Sequence, residues 1–365
     1  MAKLRFLILG DDFTPAALFE DTIRQNIGRY ESTTSFQCVD IDPSELSRAE
    51  TEEVSEAFGD VHEIARLARS CHVIVTTFAP ITKLVLDEAR DLIAIACGRG
   101  GPINVNVPAA TGRGIPVLFA PGRNAQAVAE YTLAAMISLM RRMPEALDYV
   151  RERKWQTPRE DTFEKPSGPE LGGRCLGLIG CGQVGCLVGK LALAFGARVL
   201  VHDPYADDAM IKSLGLVPVT LETLLSGADV ISVHARIGSG EPALLDRAAF
   251  AAMKRRPYVL NTARAAALDY EALTDALQDE VISGAFLDVY PDEPIPDDSP
   301  LLSVDRGCLL LTPHAAGVSY DIPATTAGLL AKDLASLLGG SSPDHVVNRE
   351  TLDICFERLG ALLDC

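Results

Sequence analysis

Between Leu176 and Asp203 the chain reads LGLIGCGQVGCLVGKLALAFGARVLVHD. Leu176–Ile179 is an apolar run long enough for a buried strand and too short for a helix. Gly180-Cys181-Gly182-Gln183-Val184-Gly185 follows at once and fits G-x-G-x-x-G. Leu187, Leu191, Ala194 and Phe195 then recur at helical spacing, Gly196 stops that helix, and Arg198–Val201 forms a second strand ending at His202-Asp203. A strand, a glycine turn, a helix and a second strand tipped with a carboxylate make a dinucleotide-binding unit. Gly180 permits the tight turn, Gly182 lets the backbone approach a pyrophosphate, and Gly185 lets the helix pack on the strand. Gln183 and Val184 open the helix, whose first N–H groups and positive dipole end face the phosphates.

A lone G-x-G-x-x-G is weak, but here the context agrees on both sides. Asp203 lies 18 residues beyond Gly185, near the usual spacing of ~20. It can accept both ribose hydroxyls of NAD and would repel a 2′-phosphate. No arginine follows in Pro204-Tyr205-Ala206-Asp207-Asp208, so NAD is expected rather than NADP.

At 365 residues the chain is too long for one ordinary core, so two domains are expected. A net charge of −17 argues against nucleic acid or an anionic membrane surface as a partner. Nine cysteines, odd in number and without a C-x-x-C pair, suit free thiols rather than a disulfide frame or a metal site. Cys181 and Cys186, flanking the glycine turn, read as small fillers. No secretory signal is visible, since Leu4–Leu9 is short and Asp11-Asp12 follow it, and the most apolar helix, around Leu133–Leu139, is too short for a membrane span. A cytoplasmic location is the expectation.

Along the first third, strands are expected at Lys3–Gly10, Phe36–Val39, Val73–Val75, Leu92–Ala96 and Val117–Phe119, with helices at Thr14–Ile27 and Lys83–Ala89. Asp42–Glu56 reads as acidic, partly helical surface. This alternation argues for a parallel sheet. A long helix is expected from Asn124, as N-cap, to Arg142, with Pro144 halting it, and Thr157–Gly173 reads as a loop. Beyond Asp203, further strands are expected at Asp229–Val233, Tyr258–Leu260, Gly284–Asp288 and Leu309–Leu311. Helices are expected at Leu221–Ser226, Arg247–Met253, Tyr270–Gln278 and Pro323–Leu338, with a tail over 346–365.

Three groups stand just past the later strands, where open α/β sheets hold ligands. They are Arg264 in Asn261-Thr262-Ala263-Arg264, the carboxylates of Asp292-Glu293, and His314 in Thr312-Pro313-His314. An imidazole can exchange a proton with a hydroxyl, a carboxylate on its other nitrogen fixes the tautomer, and a guanidinium offers a planar fork to a substrate carboxylate. That set suits hydride transfer to a 2-oxo acid.

The chain resembles the D-isomer-specific 2-hydroxyacid dehydrogenases, the family of the D-3-phosphoglycerate, D-lactate and glycerate/hydroxypyruvate enzymes. The matching pieces are GCGQVG at 180–185, His202-Asp203-Pro204, Val233-His234, Met253-Lys254, NTAR at 261–264, Leu287-Asp288-Val289, Glu293-Pro294 and TPHAAG at 312–317. Their order and spacing agree over roughly residues 70–335. The resemblance implies that Arg264 binds and polarises substrate, Glu293 pairs with the imidazole, and His314 is the acid–base. It implies a cofactor site of Gly180, Gly182, Gln183, Val184, Gly185, Asp203, Pro204, His234, Thr262, Ala263, Asp288, His314 and Gly317, with Asp288 by the nicotinamide carboxamide. The implied architecture is α/β: two Rossmann-like/flavodoxin-like doubly wound parallel-sheet domains, the nucleotide domain inserted in the substrate domain. The substrate domain would span 1–120 and 321–345, and the NAD-binding domain 121–320. The helix Asn124–Arg142 would serve a homodimer contact.

Departures from the family pattern bear on substrate. Ala265-Ala266 follow Arg264 where a glycine is usual, and the loop after His234 lacks the usual proline and threonine. The loop Cys97–Asn106 is rich in glycine and ends in asparagine where aspartate is common. Its Gly100 and Gly101 N–H groups would form a nest for the substrate carboxylate. Arg99 and Arg123 would receive a second anionic group, such as a phosphate, or else each pairs with a local acid. The expected activity is an NAD-dependent oxidoreductase acting on a small D-2-hydroxy acid or 2-oxo acid, phosphorylated or not. A formate- or phosphite-type oxidation is a runner-up on the same scaffold. The alternative from a different class is an NAD-sensing, co-repressor-like scaffold without turnover.

Overall fold

The computed structural model describes residues 4–41, 53–155, 165–235, 237–238, 240–305 and 307–363. The surface stretch expected over Asp42–Glu56 and the loop expected over Thr157–Gly173 lie partly outside these residues. The chain divides into two compact units, Met1–Arg123 with Tyr320–Cys365, and Asn124–Ser319.

In the first unit, β1 (Leu4–Gly10), β2 (Thr34–Asp40), β3 (Val73–Thr76), β4 (Ala94–Cys97) and β5 (Val117–Phe119) are all parallel, in the order β2-β1-β3-β4-β5. That is the flavodoxin-like order. The helices are α1 (Ala16–Asn26), α2 (Val61–Ala68), α3 (Lys83–Glu88), α4 (Val107–Gly112), α12 (Ile322–Leu338) and α13 (Leu352–Leu363). Side chains alternate along β1. Leu4, Phe6 and Ile8 enter a core with Phe19 and Ile23 of α1 and Leu330 and Leu334 of α12. Leu7 and Leu9 enter a second core with Ile64 of α2 and Leu86 of α3. Because both faces are covered, the strand reads as one continuous apolar run.

Residues 346–363, expected as a tail, are part of this unit's packing. Val346 bridges antiparallel to Leu118, and the Val347 N–H donates to the Val117 carbonyl at 3.0 Å. The buried Asn348 side chain accepts from the Val117 N–H at 2.8 Å and donates to the Ile115 carbonyl at 2.9 Å and Thr111 Oγ1 at 2.8 Å. Beyond it, α13 sends Leu352, Cys355 and Leu359 into the core shared by α1 and α12.

The second unit holds seven parallel strands: β6 (Cys175–Ile179), β7 (Arg198–His202), β8 (Val217–Pro218), β9 (Val230–Val233), β10 (Tyr258–Asn261), β11 (Gly284–Leu287) and β12 (Leu309–Leu311). Their order is β12-β11-β10-β9-β6-β7-β8. The chain winds outward from β6 to β8, then returns past β6 to β9. That reversal is the switch point where a doubly wound sheet opens a crevice. The helices are α5 (Ala125–Met140), α6 (Met143–Arg151), α7 (Gln183–Ala194), α8 (Asp208–Ser213), α9 (Leu221–Gly227), α10 (Arg247–Ala251) and α11 (Tyr270–Gln278). Asp207, Thr220, Asp246 and Asp269 cap four of them by accepting backbone N–H groups of the first turn.

Two expectations at α5 are corrected. Asn124 makes no side-chain cap hydrogen bond, and the helix ends at Met140 with Arg141 as its C-cap, before Arg142 turns left-handed at φ +51°, so the proline does not halt it. Pro144 sits in the first turn of α6, where its missing N–H is harmless. Ala129, Met136 and Leu139 of α5 pack with Leu176, Leu178, Leu260 and Phe286 of the unit's own sheet.

Replacing Asn348 with alanine strips three hydrogen bonds, two of them buried, from the edge of the first sheet. A loss of about 2–4 kcal/mol is expected, read as a fall in the denaturant midpoint. A change below about 0.5 kcal/mol, the level of an ordinary surface substitution, would contradict this packing.

Candidate active site

The glycine turn after β6 has two residues held by packing and one facing open space. Gly180 has φ +97°, and a Cβ there would stand 2.6 Å from the Ala235 nitrogen. A Cβ on Gly185 would stand 2.2 Å from the Gly180 carbonyl oxygen, so the start of α7 rides directly on the turn. A Cβ on Gly182 meets nothing within 4 Å. This open ground lies at the N-terminus of α7, where Gly182 caps without a side chain. The arrangement fits a pyrophosphate held by helix N–H groups. Asp203 ends the turn's frame: Oδ2 accepts from the Cys181 N–H at 2.7 Å, and Oδ1 from Tyr205 at 2.9 Å and Ala206 at 3.2 Å. Of a carboxylate's roughly four acceptor sites one, on Oδ2, remains for a ribose hydroxyl. Cys181 Sγ is 3.3 Å from Cys186 Sγ, and burial pushes the Cys181 thiol up to about 12, as suits a filler.

Across the switch point, His234 follows β9. Its Nε2 lies 2.9 Å from Ser232 Oγ, and burial pushes its imidazole down to about 4, so it is neutral near pH 7. Thr262 is buried with its hydroxyl 2.9 Å from that of Thr132 on α5. The Ala263 N–H donates to Asn261 Oδ1 at 3.0 Å, and Asn261 Nδ2 donates to the Arg264 carbonyl at 2.9 Å. Asn261, fully buried, thus shapes the turn that carries Arg264 into solvent. Gly317 sits where a Cβ would come within 2.7 Å of Asn124 Nδ2.

Three adjacent strands, β10, β11 and β12, supply the candidate chemistry. His314 Nδ1 is 2.7 Å from Glu293 Oε2, and Glu293 Oε1 accepts from the Tyr290 N–H at 3.0 Å. No partner for His314 Nε2 is found among the described residues. Partial burial pushes the Glu293 carboxyl up. The His314 and Tyr290 hydrogen bonds outweigh it with help from the nearby His314 and Arg264 charges, so the group sits below its ordinary value.

Asp288 has a place the sequence did not reveal. It is 1% exposed, and its Oδ1 accepts from Thr312 Oγ1 at 2.5 Å and the Ala315 N–H at 2.8 Å. Its Oδ2 accepts from the Ala316 N–H at 2.9 Å. The carboxylate therefore grips the loop on both sides of His314, whose own φ is +51°. Tyr290 joins it: its hydroxyl donates to the Leu287 carbonyl at 3.0 Å and the Thr312 carbonyl at 2.8 Å.

In the first unit, the Gly100 and Gly101 N–H groups have no acceptor among the described residues, and a Cβ on Gly101 would meet nothing within 4 Å. Arg99, however, is paired: it bonds the Glu56 carboxylate, and its guanidinium stacks 5.0 Å from the Phe78 ring centroid. This is the local-acid arrangement. No acid partner for Arg123 is found among the described residues, and burial and the Arg99 charge push its guanidinium below the ordinary value. A cavity of about 140 Å³ lies close by in the chain fold, lined by Asp11, Phe13, Phe58 and Phe78. Asp11 Oδ2 is buried in it without a hydrogen bond, and burial pushes that carboxyl up. The sequence signal for it was Asp11-Asp12 directly after β1. Among the described residues no cluster of three or more His, Cys, Asp or Glu could hold a metal, and no helix is long and apolar enough to cross a membrane.

Residues 133–316 match the family model described as D-isomer specific 2-hydroxyacid dehydrogenase, NAD binding domain. A glyoxylate reductase of Korarchaeum cryptofilum is 33% identical over 292 residues, 80% of this chain and 87% of that protein. A D-3-phosphoglycerate dehydrogenase of Archaeoglobus fulgidus is 32% identical over 77% of this chain and 52% of its own length. Among solved structures, a D-lactate dehydrogenase from Treponema pallidum aligns with a TM-score of 0.71 at 25% identity, covering 94% of this chain and 99% of that one.

Gly182→Val fills the open ground without touching the turn's packing. Its melting temperature is expected to match the wild type, while NADH affinity measured by fluorescence falls at least about tenfold. Unchanged affinity would place the pyrophosphate elsewhere.

Proposed function

Because this chain belongs to the D-isomer specific 2-hydroxyacid dehydrogenase family, its chemistry is NAD-dependent, and we propose that Arg264, Glu293 and His314 perform it on a small D-2-hydroxy acid or the matching 2-oxo acid. The observation that carries this reading is the 2.7 Å contact between His314 Nδ1 and Glu293 Oε2. It leaves the other ring nitrogen for substrate.

NAD, when bound, supplies or accepts the hydride. His314 Nε2 then gives its proton to the oxygen that gains negative charge in reduction, and takes it back in oxidation. Glu293, charged well into the acid range, accepts from the imidazole and fixes Nδ1 as the donor. Arg264 holds the substrate carboxylate and draws electron density from the adjacent carbonyl. Asp203, with no cation following it, selects NAD. The Gly100 and Gly101 amides are assigned to the substrate carboxylate, and Arg123, rather than the paired Arg99, to any second anionic group.

A homodimer in the cytoplasm suits two further features. Leu147, Val150 and Trp155, in and just beyond α6, are each more than half exposed, which an apolar interface would cover. Eight described cysteines are unbridged, as in a reducing compartment.

The assay is NADH oxidation with a panel of glyoxylate, hydroxypyruvate and phosphorylated 2-oxo acids. His314→Ala and Arg264→Ala are each expected to lower kcat/KM by about 10²–10⁴-fold with the fold intact. Glu293→Gln removes the carboxylate that accepts from His314 Nδ1, and kcat/KM should fall while the fold is kept. Arg123→Ala should cost only substrates with a second anion. Near wild-type rates in both alanine variants would overturn the assignment.

A further inference from the structure

We infer that the first unit carries a second ligand site, for a phosphorylated small molecule, at the N-terminal edge of its sheet. The edge opposite Gly100 and Arg123 forms a basin of about 650 Å³ lined by Arg5, His72, Arg90, Arg113, Arg358 and the apolar floor of Leu92, Ile93 and Leu362. Five separate segments meet there. Arg5 lies in β1, His72 just before β3, Leu92 just before β4, Arg113 after α4, and Arg358 on α13.

Its charge is the reverse of the chain's. Four guanidinium groups line it against one carboxylate, Asp91, in a protein of net charge −17. Asp91 is already engaged, its Oδ2 2.9 Å from Arg5 Nη2. His72 adds no compensating charge: its Nδ1 accepts the Arg5 N–H at 3.0 Å, and burial and the Arg5 charge push its imidazole down. Two of the four arginines are anchored by backbone, Arg5 on the Ser70 carbonyl and Arg113 on the Ala89 carbonyl at 3.2 Å. For Arg90 and Arg358 no acid partner is found among the described residues. Four like charges gathered around a single carboxylate repel one another, and a multivalent oxyanion relieves that repulsion while using the guanidinium forks. The volume falls in the range of small-molecule sites, and the three apolar side chains suit the organic part of a phosphate ester. The site is independent of the catalytic reading above.

Pyrophosphate is the ligand for the test, titrated calorimetrically into the full chain saturated with NADH, which covers the helix N-terminus at α7. Saturable binding at one site per chain is expected. The doubly substituted Arg90→Ala/Arg358→Ala protein should bind at least about tenfold more weakly, with Arg358→Glu weaker still, and with NADH turnover unchanged. Both side chains are exposed, so the variants should fold. Absence of saturable pyrophosphate binding, or equal affinity in the wild type and the double variant, would overturn the proposal.

Discussion

The buried carboxylate of Asp288 accepts hydrogen bonds from Thr312, Ala315 and Ala316, and the loop so gripped contains His314. A carboxylate removed from water is costly unless its lone pairs are met, and here the loop's own donors meet them. The same contacts that make Asp288 tolerable inside the protein hold the backbone at His314 in its left-handed conformation. Without them the imidazole would have no fixed direction, and its meeting with Glu293 would be one of many rotamers. The proposed acid–base pair therefore depends on a residue that need never touch substrate.

The parallel sheet explains why these residues come together at all. Strands β10, β11 and β12 are neighbours, so the turns that leave their C-terminal ends bring Arg264, Glu293 and His314 to one edge. The switch point between β6 and β9 opens the crevice for the dinucleotide on the same edge. Burial of both sheet faces leaves only the strand ends for polar chemistry. In the first unit this gives two chemically different edges, with Gly100, Gly101 and Arg123 at one and the arginine basin at the other.

The readable parts of the sequence were those encoded locally. Glycines at 180, 182 and 185 declare themselves because each answers a constraint within a few residues, and strands buried on both faces stand out as unbroken apolar runs. The positions of Arg264, Glu293 and His314 were legible because each sits just past such a run. What stayed hidden depends on distant partners. Arg99 finds Glu56 across 43 positions, and Asn348 finds Val117 across 231. Nothing near Leu352 announces that α13 completes the core of α1 and α12. The hold of Asp288 on the His314 loop was hidden because its partners lie 24 to 28 residues on, in a loop whose conformation is not written in its own sequence. The second helix at Met143 was obscured by Pro144, which stops one helix in most contexts and here begins another.

The central claim is that Asp288 sets the geometry in which Glu293 and His314 share a proton. Its most direct test is a carbon-13 NMR titration of the Glu293 carboxyl in the wild type and in Asp288→Ala. In the wild type the group should titrate below the ordinary glutamate value of about 4.3. In the folded variant it should return toward that value, since the loop no longer holds the imidazole against it. A depressed Glu293 titration that survives the loss of Asp288 unchanged would contradict the account.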